Sequence, residues 1–342
     1  MNKQDRNAMS DGHIAVRLDG VSKTFYQRQR SESPRDAFKN LFRPTIREIH
    51  ALRDVDLTVH RGEIVAYAGP NGAGKSTTVK LLSSALAPTT GTVRALGMDP
   101  LKDRVNYVKR IGVVFGQRTE LWWDQPVSAS FEWARVVWDV PRDRYERSLG
   151  FVKEVLDLDP FFNSLARQLS LGQKMRADLG LMLIHEPEIL LLDEPTIGVD
   201  VLGKRRILEF IKTLNEEKGV TVMVTSHDMD DLEQLAGRIV MIDNGRIAFD
   251  GDFAELRSAF GDRRHLMLET GGDEALDLQG AEWVRSQGNR HDYTFDAAQV
   301  SIAKLLEQAG ERTSVIDVET HRAPIDDVIA DVYSNWQGER LN

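Results

Sequence analysis

The chain reads as an α/β protein built on a mixed, mainly parallel sheet, followed by a smaller α+β domain, and three observations carry that reading. Short apolar runs bounded by Gly and Pro alternate with longer amphipathic stretches, as strands and crossover helices alternate in a parallel sheet. Four of the runs, Ile64 to Gly69, Ile189 to Asp193, Thr221 to Ser226 and Arg238 to Ile242, read as strands, several of them apolar enough to be covered on both faces. After Gly261 the pattern changes: strand-like pieces at 265–270, 281–287, 291–295 and 313–319 mix with helix-like ones at 299–309 and 325–335 around a GGDE turn. With 342 residues, there is room for one large domain and one small one.

Composition narrows the class. The 44 Lys and Arg against 53 Asp and Glu leave a net charge of −9, the wrong sign for wrapping nucleic acid, so no nucleic-acid partner is expected. No apolar run approaches the roughly 18 residues of a bilayer span, and the first residues lack the apolar core of a secretory signal. With no cysteine, disulfides and thiolate chemistry are excluded together. A cytoplasmic location is the default expectation.

Along the chain, the first anomaly is the segment from 27 to 50, where six Arg or Lys face three Asp or Glu in an otherwise acidic protein. A solvated surface insertion is the simpler reading. Phe38, Leu41 and Phe42, at helical spacing among the basic residues, make a docking role the alternative.

The strongest signal follows at 69–77, GPNGAGKST: Gly69, Pro70, Asn71, Gly72, Ala73, Gly74, Lys75, Ser76 and Thr77. It fits the G-x-x-x-x-G-K-[ST] loop between a strand-like EIVAYA and a helix-like TVKLLSSAL. Bare glycines let backbone N–H groups wrap anionic oxygens, and the following helix aims its positive end at the same charge. Lys75 would bridge terminal phosphates and the Ser76 hydroxyl would ligate Mg2+.

Further on, PEILLLDEP at 187–195 is a buried strand ending in two acids. Asp193 can hold Mg2+ through water, and Glu194 can polarise an attacking water. Upstream of it, LSLGQKMRADLGLML at 169–183 starts a helix with Ser170 and Gly172 in its first turn, a second place suited to phosphate. Its distance from the first loop suggests that it serves a different nucleotide.

Taken in order, GPNGAGKST, VVFGQ with Gln117, LSLGQ, LLLDEP, GVD with Asp200 and TSHD with His227 resemble the nucleotide-binding subunit of an ATP-binding cassette transporter, over about residues 14–255. The accessory domain would then be 262–342. That resemblance implies a P-loop ATPase cassette with a helical lobe, binding ATP and Mg2+, and pairing head to tail as a homodimer. Each ATP would lie between the loop of one copy and Ser170, Gly172 and Gln173 of the other.

It further implies that Gln117 senses Mg2+ and the attacking water, that Asp200 connects the two sites, and that His227 contacts the γ-phosphate. Phe25 matches the aromatic that stacks on adenine, with Tyr26 the neighbouring alternative. The family's LSGGQ reads LSLGQ here, with Leu171 in place of a glycine, so altered closing geometry or affinity is expected.

One phosphate loop and no membrane span require a separate permease, placing the chain at the cytoplasmic face of the membrane. The motif set and tail look like type 2 exporters of drugs, lipids or polysaccharides; an importer subunit and a soluble cassette ATPase are the alternatives. Of Trp122, Trp123, Phe131, Trp133 and Trp138, most are expected in the core of the lobe, with the Trp122–Trp123 pair lining a groove for the permease helix.

Overall fold

The computed structural model describes residues 13–28, 46–116, 118–226, 228–259 and 263–322. It divides into two compact units, Met1–His227 with Asp231–Asp250, and Asp228–Asp230 with Gly251–Asn342.

The first unit is organised by a six-stranded sheet in the order β5-β6-β7-β3-β8-β9. Its members are β3 (Ile64–Ala68), β5 (Ile111–Phe115), β6 (Ile189–Asp193), β7 (Thr221–Thr225), β8 (Arg238–Asp243) and β9 (Arg246–Gly251). The four strands expected from the apolar runs are all present, and β6, β7, β3 and β8 are neighbours. Pairing is parallel from β5 through β8. Strand β7 is buried at all five positions and β6 at four of five, the burial of a sheet covered on both sides. Register then aligns the carboxyl ends: Phe115 lies opposite Asp193, and Asp193 opposite Thr225. Ligands of open α/β sheets bind along such a rim.

A second sheet, in the order β2-β1-β4, is antiparallel where β1 (Ile14–Arg28) pairs with β2 (Ile46–His60) and β4 (Thr90–Ala95). It shares one core with the parallel sheet, in which Val16, Leu18, Leu52 and Leu57 join Val65, Tyr67, Leu191 and Ile242. The basic segment expected at 27–50 is narrower at both ends, because β1 runs to Arg28, β2 begins at Ile46, and the two strands pair out to that point. Cross-strand pairing extends the hairpin past what charge counting reveals. Phe38, Leu41 and Phe42 lie outside the described residues.

Helix α1 (Lys75–Leu82) follows β3, and α2 (Arg104–Val108) precedes β5. A helical segment comprises α3 (Val127–Val137), α4 (Arg142–Val155) and α5 (Leu171–Met182), and α6 (Val201–Lys218) returns the chain to the sheet before α7 (Met229–Leu235). Within it Phe131 is buried against Phe162, ring centroids 5.2 Å apart. The tryptophans expected there divide differently: Trp122, Trp123 and Trp133 are 42%, 56% and 50% exposed. Trp122 lies against Trp133 at 5.1 Å, and Trp138 stacks on His185 at 4.5 Å. Trp133 is thus a surface residue, since Phe131 and Ala134 take the inward face of α3.

In the second unit, α8 (Phe253–Ala259) precedes an antiparallel sheet in the order β11-β12-β10-β13, formed by β10 (Arg263–Thr270), β11 (Ala281–Gln287), β12 (Arg290–Asp296) and β13 (Val315–Arg322). Helix α9 (Ile302–Gly310) lays Leu305 and Ala309 on Leu266, Leu268, Tyr293 and Phe295. The alternation of buried and open positions along β10 and β12 is that of a one-sided sheet. A helix at 325–335 falls outside the described residues.

Candidate nucleotide site

The loop between β3 and α1 is shaped by what its glycines permit. A Cβ on Gly69 would lie 2.3 Å from the Ile242 carbonyl oxygen, and one on Gly74 would lie 2.6 Å from that of Ala51. Gly74 also has φ 121°, which L side chains rarely adopt. No side chain caps α1, whose N-cap is Gly74, so its first N–H groups face the loop as donors for an anion.

Lys75 is 7% exposed and donates from Nζ to the Gly69 carbonyl at 2.5 Å and that of Pro70 at 3.2 Å. Burial lowers its proton affinity, while the charges of Glu194 and then Asp193 raise it. The ammonium therefore stands inside the loop within the field of both acids. Thr78, one turn along, is buried against the Tyr67 hydroxyl at 3.1 Å, which pins the helix to β3.

Both acids sit on the carboxyl rim. Asp193 Oδ1 accepts from the Thr225 hydroxyl at 2.7 Å, and the Glu194 N–H donates to the Thr225 carbonyl and hydroxyl oxygens, each at 3.1 Å. Glu194 has φ 57°, a left-handed conformation that costs a non-glycine residue about 1 kcal/mol or more. Gly116 packs directly on it: its N–H donates to the Asp193 carbonyl at 2.8 Å, and a Cβ there would lie 2.0 Å from the Glu194 carbonyl oxygen.

One cavity of about 520 Å³ is lined by Asn71, Ser76, Gly116, Arg118, Asp193 and Glu194 among others. It brings together the phosphate loop, the paired acids and both neighbours of Gln117. Gln117 and His227 themselves lie outside the described residues. Thr225, Gly116 and Arg118 are additions to the sequence reading; Thr225 was visible as a polar end to an apolar strand, but its bond to Asp193 depends on strand register.

Ser170, Leu171, Gly172, Gln173 and Asp200 do not line that cavity. Ser170 caps α5 in a reciprocal box, its Oγ accepting from the Gln173 N–H at 3.2 Å and Gln173 Oε1 from the Ser170 N–H at 2.9 Å. Asp200 caps α6 without a reciprocal partner, its Oδ1 accepting from the Gly203 N–H at 2.9 Å. The two helix starts adjoin, since a Cβ on Gly172 would meet Val199 at 3.1 Å and Asp200 at 3.6 Å. Leu171 is 46% exposed, and its Cδ2 is the atom nearest to where a Gly198 side chain would stand.

Phe25, opposite Ile49 in the β1–β2 pair, is 36% exposed with Lys23 Nζ 5.2 Å from its ring centre. Ile49 precedes Ala51, the residue against Gly74, so the strand pair carries Phe25 towards the loop. Tyr26 is 64% exposed.

The ABC transporter family matches residues 52–197. The chain is 30% identical over 208 residues to the ABC transporter ATP-binding protein NatA of Bacillus subtilis, covering 61% of this chain and 84% of NatA. It is 36% identical over 204 residues to the "Probable multidrug ABC transporter ATP-binding protein YbhF" of Escherichia coli, covering 60% of this chain and 35% of that one. Among solved structures it resembles the dimeric post-hydrolysis ATP-binding cassette MJ0796 bound to ADP and Pi, with TM-score 0.57, 27% identity, and coverage of 69% of this chain and 98% of that one. The strand–loop–helix that cradles phosphate, the acids on the sheet rim and these likenesses agree: the chain belongs to the ABC transporter family, as an ATP-binding, ATP-hydrolysing cassette.

Proposed function

We propose that this ATPase powers a separate integral-membrane permease from the cytoplasmic face of the membrane, working as a head-to-tail homodimer. The observation that carries the pairing is that two incomplete half-sites do not share one cavity. Asn71 and Ser76 of the loop share one cavity with both acids, while Ser170, Gly172 and Gln173 stand elsewhere at an open helix start. A second copy supplies the missing half of each. The bound MJ0796 cassette is dimeric, in keeping with this arrangement. Among the described residues no helix is long and apolar enough to cross a membrane, and in this reading a separate permease supplies the transport path.

In this reading Phe25 stacks on adenine, residues 69–77 wrap the phosphates, and Lys75 bridges the terminal ones. Ser76, Asp193 and Gln117 hold Mg2+; oxygen donors suit that hard ion, and the Thr225 bond fixes one of them. The ion supplies charge neutralisation on the phosphates. Glu194 orients and polarises the attacking water as general base, His227 contacts the γ-phosphate, and Asp200 links the two sites. ATP binding closes the pair and product release reopens it.

The cargo class we assign is a drug, lipid, polysaccharide or similar small molecule moving outwards, supported by the multidrug name of one relative. Import is the second reading, favoured by a 33% identity over 213 residues to the methionine import protein MetN of Bifidobacterium longum. The exposed Trp122, Trp123 and Trp133 form the surface we assign to the permease. Residues 262–342 act in dimer support or regulation, and the basic segment lies towards the membrane. Co-purification from native membranes tests the reading: a polytopic partner released by replacing Trp122 and Trp123 with Ser supports it, and a chain recovered wholly without a membrane partner refutes it.

A further inference from the structure

Asp178 lies on α5 eight residues after its N-cap Ser170, about 12 Å along the helix. It is 2% exposed, and among the described residues no cation pairs with it. Its Oδ1 instead accepts twice from the segment that leaves the site behind Gln117: from the Thr119 hydroxyl at 3.1 Å and from the Glu120 N–H at 3.0 Å. The same Thr119 oxygen accepts from the Leu121 N–H at 3.2 Å, so one carboxylate organises three consecutive residues. The segment begins at β5, where Arg118 N–H bonds the Phe115 carbonyl at 3.0 Å, and ends at α3, where Trp122 N–H bonds Ser130 at 3.0 Å.

We propose that Asp178 is a positioning residue for ATP turnover, fixing the Thr119–Leu121 segment to α5 so that the loop at one nucleotide and the Ser170 helix start offered to the other move as one piece. An uncharged loop anchor would need only an amide or hydroxyl. A carboxylate in an apolar setting is expensive to bury, and removing its partners exposes that cost, so the joint is stiff. Neither end can shift without leaving a buried acid short of both donors. The inference rests on the ATPase assignment, and deepens it by naming the mechanical link between two half-sites.

Full-length parent, Asp178→Asn, Asp178→Ala, Thr119→Val and the Ala/Val double variant test it through steady-state ATPase rates and titration with a fluorescent ATP analogue. The expected result is nucleotide affinity within about threefold throughout, because none of these residues touches phosphate. Expected kcat falls about tenfold for Asp178→Ala and several-fold for Thr119→Val, the double variant being no worse than Asp178→Ala. Asp178→Asn, which keeps the accepting oxygen, should retain kcat within about threefold.

A Thr119→Val protein at the parent rate, or single-variant losses that add in the double, overturns the proposal even if Asp178→Ala does not fold. So does a loss confined to affinity. A parent that hydrolyses no ATP sinks the ATPase assignment and the proposal with it, whereas an active parent with indifferent variants sinks the proposal alone.

Discussion

Asp178 makes stability depend on pH in a window where few carboxylates titrate. Burial raises it from 3.8 to about 7; the Glu120 N–H and Thr119 hydroxyl bonds oppose the rise, and the charge of Glu120 adds to it. In the unfolded chain it ionises near its ordinary value, so between pH 4 and 7 the folded state binds the extra proton. Stability from this group is therefore full below about pH 4 and is lost as pH rises to about 7. A displacement of about three units corresponds to about 4 kcal/mol, of which about 2 kcal/mol falls between roughly pH 5.5 and pH 8. Asp178→Asn removes the titration and leaves the shape. Urea unfolding followed through the tryptophans, four of which lie between Trp122 and Trp138, should show the parent losing about 2 kcal/mol more than the variant across that interval. Equal pH slopes for the two proteins would refute the argument.

Three further outcomes follow from the geometry. Lys75→Ala should abolish ATP binding in a titration, yet leave thermal stability equal or higher, since a buried ammonium with lowered proton affinity is being removed; a destabilised variant that still binds ATP would contradict the role of the loop. Gly116→Ala places a Cβ 2.0 Å from the Glu194 carbonyl oxygen. It should cost about 1–3 kcal/mol in unfolding and at least about tenfold in turnover, because the general base is displaced; parent-like kinetics would free Glu194 of that constraint. A chain ending at Arg257 should still bind ATP while its dimerisation or transport coupling changes, and an insoluble product or loss of binding would make residues 262–342 part of the cassette's own fold.

How much of this was legible beforehand differs between sheet and surface. The apolar runs at β3, β6, β7 and β8 announced a two-sided sheet because all but one position at most in each strand is buried, and Ser170 announced the start of α5 because a capping box is local. The long β1 and β2 strands were not seen. They alternate irregularly, with register shifts between Leu18 and Val21 and again near Lys23, and their outer ends pair only with each other. Trp133 was placed in the core by its type, whereas helix phase puts Phe131 there. At the site, motif spacing identified the loop and both acids. Thr225, Gly116 and Asp178 entered only through contacts between segments far apart in the chain, which no local pattern encodes.

The shared-site account meets its most direct test in one sedimentation experiment with and without Mg-ATP. Glu194→Gln keeps the size of the side chain and removes the base, typically worth about 10²- to 10⁴-fold in rate, so the protein should bind ATP and accumulate as a dimer. Adding Ser170→Arg should abolish that dimer while the monomer still binds ATP, because Ser170 serves the partner's nucleotide. A double variant that remains dimeric, or a Glu194→Gln protein that hydrolyses ATP at the parent rate, would contradict the account.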